Sequence, residues 1–260
     1  MIKVTKVAKD KGNFYQISFD NKQKLRVSED LLVRFRLLKG SEVDDATLAE
    51  IKKNAGYDVG LQMAMNYISY QLRTEQEMYR YLKEKEINLE DSKKIIQRLK
   101  ELRLIDDLNY GQSYIRTQMR LSDKGPQSLM QKLRQKGLKE DVLQQVMGLY
   151  TTENQFDIAY KAAEKSLKTI RGKSHKEMLQ KLRLKLMQKG FTSEIISQVM
   201  SELPNEKDEE AEWEALSKEG TKLLRKFRHD KYKLKQKLYQ KGFDLDLIQQ
   251  FIDEELQDDN

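Results

Sequence analysis

The chain has 260 residues, 38% of them apolar and 35% charged, with a formal net charge of +7 and no cysteine. The missing cysteines exclude disulfides, a thiolate nucleophile and any Cys-based metal site. No apolar run approaches the roughly 18 residues of a membrane span, and no signal-peptide pattern opens the chain, so a cytoplasmic monomer that does not engage membranes is expected.

In chain order, Ile2–Ala8, Asn13–Phe19 and Lys24–Val27 are short and rich in Val, Ile, Phe and Tyr. Turn sequences at Asp10-Lys11-Gly12-Asn13 and Asp20-Asn21-Lys22 separate them, which predicts a small antiparallel sheet. Ser28 or Asp30 caps a helix through Leu38, Lys39-Gly40 closes it, and Asp44 starts another running to about Asn54. Three strands bury little by themselves, so this segment is expected to pack on those helices or on the first repeat.

Beyond it, Lys-Gly-Leu/Phe recurs as Lys136-Gly137-Leu138, Lys189-Gly190-Phe191 and Lys241-Gly242-Phe243, with a weaker copy at Lys85-Glu86-Ile87. The intervals are 51, 53 and 52 residues. A fixed period of this size marks an array of similar units that stack on one another. Aligned copies place Met78, Leu129, Leu182 and Leu234 one turn before Leu82, Leu133, Leu186 and Leu238, the apolar stripe of an amphipathic helix.

After each copy a second helix follows, headed by Asn88, Thr192 or Asp244 as an N-cap, with Lys139 a poor cap at the remaining place. Before each lies a longer helix, such as those carrying Ala64, Ile68 and Leu72, or Trp213, Leu216, Leu223 and Phe227. Thr74 with Glu77 forms a capping box, and Pro126 and Pro204 fall at joints. Glu86 stands where the other copies have Gly, which predicts a different turn geometry there.

The fold class is therefore mainly α, an elongated array of four three-helix repeats of helix-turn-helix type with a small N-terminal β-sheet subdomain. Boundaries fall at 1–56, 57–107, 108–153, 154–204 and 205–260.

Residues 112–200 hold 17 Lys or Arg against 8 Asp or Glu, whereas 244–260 hold seven acids and no base. A basic middle segment suits nucleic acid or an acidic protein surface. Lys132, Lys185 and Lys237 occupy equivalent places, four residues before Lys136, Lys189 and Lys241. The second row has a structural explanation, since a Lys before a Gly cap complements the helix dipole. The first row makes better contact candidates, joined by the i,i+4 pair Arg116 and Arg120 and by Arg134 and Arg183.

Catalysis finds no support. His175 and His229 lack ligand spacing and read as polar turn residues. Asp44-Asp45 and Asp106-Asp107 precede helices, where capping explains them. Tyr67, Tyr70, Tyr110 and Tyr114 read as mostly core. Neither a metal nor another cofactor is expected.

Asp106-Asp107 followed by Tyr110, Tyr114 and Arg116, then Gly125-Pro126, Leu133 and Lys136-Gly137-Leu138, resembles the central signature of the RecX recombination regulators. Tyr67, Ser69-Tyr70, Arg73-Thr74 and Glu77 resemble that family's first-repeat pattern, and the likeness covers about residues 60–200. It implies a non-enzymatic regulator that binds the RecA recombinase filament on single-stranded DNA and commonly inhibits strand exchange and ATP hydrolysis. The residues alone leave two alternatives open: a direct binder of single-stranded or double-stranded DNA, or a helical scaffold for another cytosolic partner.

Overall fold

The protein is described by a computed structural model over residues 1–204, 206–227 and 230–257. It is mainly helical with a small N-terminal antiparallel sheet. Strands β1 (Ile2–Lys9), β2 (Phe14–Phe19) and β3 (Lys24–Ser28) follow the predicted segments, and the sheet has the order β3-β2-β1-β4. The fourth strand, β4 (Glu42–Val43), pairs with β1 through Ile2 and Lys3. Two residues are too short to show strand alternation, so pattern alone does not reveal it.

Helix α1 (Glu29–Arg34) is capped by Ser28, whose hydroxyl accepts from the Leu31 N–H. It stops before the expected Leu38 because Arg36 adopts φ +49° and the Leu37 N–H returns to the Leu32 carbonyl. That turn carries Leu37 into the core. Helix α2 (Asp45–Ser69) is capped by Asp44 as expected but continues fifteen residues past Asn54, so the division placed after residue 56 falls inside one helix. Its first half sends Leu48, Ile51 and Ala55 against Val4, Ile17, Phe19 and Val27 of the sheet. Its second half sends Ala64 into a different core. Gly60 allows Ile95 to come close, since a Cβ there would lie 2.7 Å from its Cδ1.

The rest of the chain is α3 (Glu75–Glu84), α4 (Leu89–Glu101), α5 (Asp107–Leu121), α6 (Pro126–Gln135), α7 (Glu140–Met147), α8 (Thr152–Leu167), α9 (His175–Gln188), α10 (Ser193–Glu202), α11 (Glu209–Phe227), α12 (Lys231–Gln240) and α13 (Leu245–Gln257). Two compact units emerge, one of residues 1–111 with 133–142, the other of 112–132 with the described residues from 143 onward. In the first, Met78 and Leu82 of α3 meet Ile95, Ile96 and Leu99 of α4 beneath Ala64. In the second, α8 brings Ala159, Ala162 and Ala163 against Leu182 and Leu186 of α9 and Ile195, Ile196 and Val199 of α10. Leu216, Leu234, Leu238, Ile248 and Phe251 repeat that arrangement in α11–α13.

Of the four tyrosines read as mostly core, Tyr67 packs against the core around Met78 and Leu82, and Tyr70 departs from it. Tyr67 is half-buried and stacks on Tyr81 with ring centroids 4.0 Å apart, Tyr110 and Tyr114 are half-buried, and Tyr70 is 86% exposed. Helix α2 ends at Ser69, so Tyr70 and Leu72 leave its apolar stripe. His175 is the first residue of α9, and His229 lies outside the described residues.

All four turns after the second helices share one geometry. The N–H groups of Ile87, Leu138, Phe191 and Phe243 reach back to the carbonyls of Leu82, Leu133, Leu186 and Leu238, the Schellman pattern. Gly137, Gly190 and Gly242 have φ of 90°, 89° and 93°, and Glu86 has φ 60°. The expectation of a different turn at Glu86 is therefore corrected: one left-handed non-glycine residue costs only about 1–2 kcal/mol, which its helix pair absorbs.

What separates the three glycines from Glu86 is what lies against them. The Lys136 carbonyl accepts from Thr74 Oγ1 at 2.6 Å, and a Cβ on Gly137 would sit 2.2 Å from Gln76 Cβ. The Lys189 carbonyl accepts from the Gly125 N–H at 2.7 Å and the Gly190 carbonyl from the Gln127 N–H at 3.1 Å. The Lys241 carbonyl accepts from Ser174 Oγ at 2.5 Å. Each glycine turn is thus seated on the N-terminus of the second helix one period earlier.

Replacing Gly137 by Ala combines a left-handed alanine with a backbone-proximal clash and is expected to lower stability by about 2–4 kcal/mol. Gly12→Ala, at φ +67° with nothing within 4 Å, is expected to cost about 1 kcal/mol. Chemical denaturation measures both, and equal losses would mean that backbone conformation alone selects Gly137.

Candidate basic interaction surface

The second helices start with residues that serve two partners. Thr74 and Ser174 are fully buried caps. Each accepts from the N–H three residues on, Glu77 at 3.1 Å and Glu177 at 3.1 Å, while donating its hydroxyl to the incoming lysine carbonyl. Only a group that both donates and accepts can do this. The next N–H in each helix finds a carboxylate from the next long helix: Glu75 donates to Asp107 Oδ1 of α5 at 2.9 Å, and His175 to the buried Glu212 Oε2 of α11 at 2.6 Å. At the middle joint this residue is Pro126, which has no N–H to satisfy.

Asp106 caps α5 by accepting from the Asn109 N–H at 3.0 Å, and Asp107 serves α3 instead. Burial pushes the Asp107 carboxyl above its ordinary value. Among the described residues no cluster of His, Asp and Glu could hold a metal ion.

The joint lysines are committed to ion pairs inside the protein. Lys136 Nζ meets Glu77 Oε1 at 2.5 Å, Lys189 meets Asp123 at 2.6 Å, and Lys241 meets Glu219 at 2.8 Å. Glu77 holds the capping box with its other oxygen, and its bond raises the Lys136 ammonium pKa. The bonds from Lys189 and Lys241 hold the Asp123 and Glu219 carboxyls below the usual range. These acids escaped the sequence reading because they lie far from their lysines along the chain, although Glu77 at the third position of a capping box was a visible signal.

The remaining candidates lie on the surface. Lys132, Arg116, Arg120 and Arg183 are exposed. Arg134 forms a two-pronged bond to Glu140 in the first turn of α7, at 2.7 and 3.1 Å. Lys185 donates to Thr169 Oγ1 at 2.9 Å and Lys237 to Gln240 Oε1 at 3.3 Å. The structure thus divides the two lysine rows: Lys136, Lys189 and Lys241 are paired with acids, whereas Lys185 and Lys237 bond neutral groups and Lys132 is exposed.

Because the folded pKa values of Asp123 and Glu219 are depressed, their pairs stabilise the protein above the ordinary carboxylate range and lose that effect as pH falls through the folded values. Both pairs are partly exposed, so each is expected to contribute about 0.5–1 kcal/mol. The double variant D123N/E219Q should melt below the parent at neutral pH, with the gap closing below about pH 4. A gap that persists in acid would show the pairs to be energetically idle.

Comparison with known proteins adds sequence and structural likeness over the same elements. Family models described as the first, second and third three-helix domains of RecX match residues 61–99, 106–147 and, for the third, both 153–200 and 209–252. The chain is 55% identical over 259 residues to the regulatory protein RecX of Enterococcus faecalis, covering 98% of this chain and 97% of that one. It is 35% identical to RecX of Bacillus subtilis, with 97% and 98% covered. A crystal structure of a regulatory protein RecX superposes with a TM-score of 0.64 at 33% identity, over 78% of this chain and 100% of the other. RecX from Lactobacillus salivarius gives 0.55 at 35% identity, over 57% and 96%.

Proposed function

The chain belongs to the RecX family of regulatory proteins, and we propose that it acts by binding the RecA recombinase filament on single-stranded DNA and restraining strand exchange and ATP hydrolysis. It works without catalysis, as a monomer in the cytoplasm. The observation that carries this reading is the recurrence of Lys132, Lys185 and Lys237 in one register of successive three-helix repeats, while the neighbouring joint lysines are held by Glu77, Asp123 and Glu219. A surface that repeats along a chain suits a partner that repeats along a filament. Bridging adjacent protomers would oppose the rearrangements that accompany ATP turnover.

In this reading residues 57–107, 108–153, 154–204 and 205–260 are successive contact modules, the last a second copy of the third type. Among the described residues no helix is long and apolar enough to cross a membrane.

The test adds the full chain to RecA assembled on single-stranded DNA and follows ATP hydrolysis and strand exchange. Both rates are expected to fall in a saturable manner. The variant K132E/K185E/K237E should need roughly tenfold more protein for half effect, equivalent to about 1.4 kcal/mol, with its melting temperature unchanged. No effect of the parent protein at saturation would overturn the proposal.

A further inference from the structure

A groove of about 680 Å³ lies between α3 and α4 of the first repeat, inside the first compact unit. Its walls are Gln76, Tyr79, Arg80 and Lys83 of α3, Ile87 of the turn and Leu89 of α4. Tyr79 and Ile87 are half-buried against the core of Met78 and Leu82 and show their remaining surface to the groove. Leu89, the first residue of α4, is 64% exposed. Gln76 marks the end beside the Gly137 turn, which sits on it. From Gln76 to Lys83 the wall follows α3 for about 10 Å.

The second repeat shows what this groove lacks. Lys83 and Leu89 stand three residues either side of Glu86, and Arg134 and Glu140 stand three residues either side of Gly137. There the two positions close on each other, the guanidinium of α6 gripping the carboxylate of α7 at 2.7 and 3.1 Å. In the first repeat the cation is kept but the acid is replaced by leucine, so the same bond cannot form. Arg80, one turn earlier on α3, adds a second cation where the other repeats have Gln131, Leu184 and Gln236. Both Arg80 and Lys83 are exposed, and neither reaches an acid within ion-pair distance among the described residues. The groove is therefore an apolar floor edged by two cations whose internal carboxylate has been removed.

We propose that the α3–α4 groove of the first repeat docks an acidic amphipathic helix of a protein partner. An aliphatic side chain of that helix enters between Tyr79, Ile87 and Leu89, and a carboxylate bridges Arg80 and Lys83. A groove between two helices takes a third by its apolar stripe, and the charge beside the stripe selects which helix enters. Glu140 is the internal template, since at the same register it gives the cation the carboxylate that a partner must supply here. Tyr79 and Leu89 favour a helix over a strand of phosphates, which has no aliphatic group to bury against them. The inference goes beyond the filament reading, because the chemistry of the groove is set by this chain whichever protein brings the helix.

The test titrates the full chain into a fluorescein-labelled synthetic helical peptide that carries leucines along one stripe and glutamates beside it. The variant L89E rebuilds the arrangement of the second repeat, and an acid in the first turn of a helix is favourable, so its melting temperature should hold. L89E and R80E/K83E should each weaken peptide binding at least roughly tenfold, as should replacing the peptide glutamates by glutamine. No binding by the parent, or unchanged binding in both variants with unchanged melting, would overturn the proposal. Equal affinity for the glutamine peptide would reduce the groove to an apolar surface and overturn it as well. If the parent ignores the peptide but binds oligothymidylate through Arg80 and Lys83, the cations serve nucleic acid and the proposal falls. If the peptide binds through the groove while the parent leaves RecA activity untouched, the groove assignment stands and only the filament reading falls.

Discussion

The seating of each Lys-Gly turn on an earlier helix N-terminus is the constraint around which the repeats are organised. Each three-helix core is small, of a size at which burial alone leaves little margin, so repeats of this kind depend on their neighbours. Here the coupling is polar and directional. A helix end that lacks hydrogen-bond acceptors for its first N–H groups meets a helix end that lacks donors for its last carbonyls. Thr74 and Ser174 join them with one hydroxyl each, and Gly125 does so with its own N–H. Apolar packing could slide by a turn; these bonds fix one register.

The two ends of the array lack the features of a joint. Glu86 keeps the left-handed turn without needing glycine, because its repeat has no earlier helix to sit on. At the other end Asp230 caps α12 by accepting from the Lys233 N–H at 2.9 Å. A carboxylate is a good cap but has no proton to give a carbonyl, and Lys233 stands where the first joint has Glu77 to receive a lysine. Cap chemistry thus distinguishes interior repeats from the terminal one.

This arrangement also sorts charge. The lysine beside each glycine turn faces an acid and is absorbed into the fold, whereas of those a helical turn earlier Lys185 and Lys237 bond neutral groups. Sequence composition counts both alike. The basic balance of residues 112–200 therefore overstates what a partner meets near the joints.

The sequence by itself determined the period, the amphipathic stripes, the strands of the sheet, the capping box and the family, because all of these are written in residues close together or in a repeated order. It did not disclose that α2 runs unbroken to Ser69, that Tyr70 lies outside the core, or that Glu86 adopts the common turn. Tertiary packing decided the first, since Gly56 and Gly60 in α2 lie against Asp91 and Ile95 of α4 and read locally as breakers. The joints, too, belong to the tertiary structure: Lys189 and Asp123, or Lys136 and Glu77, meet only when one repeat has docked on another. The physical reason is that local pattern sets which face of a helix is apolar, whereas hydrogen bonds and ion pairs between distant residues require the separation that folding alone provides.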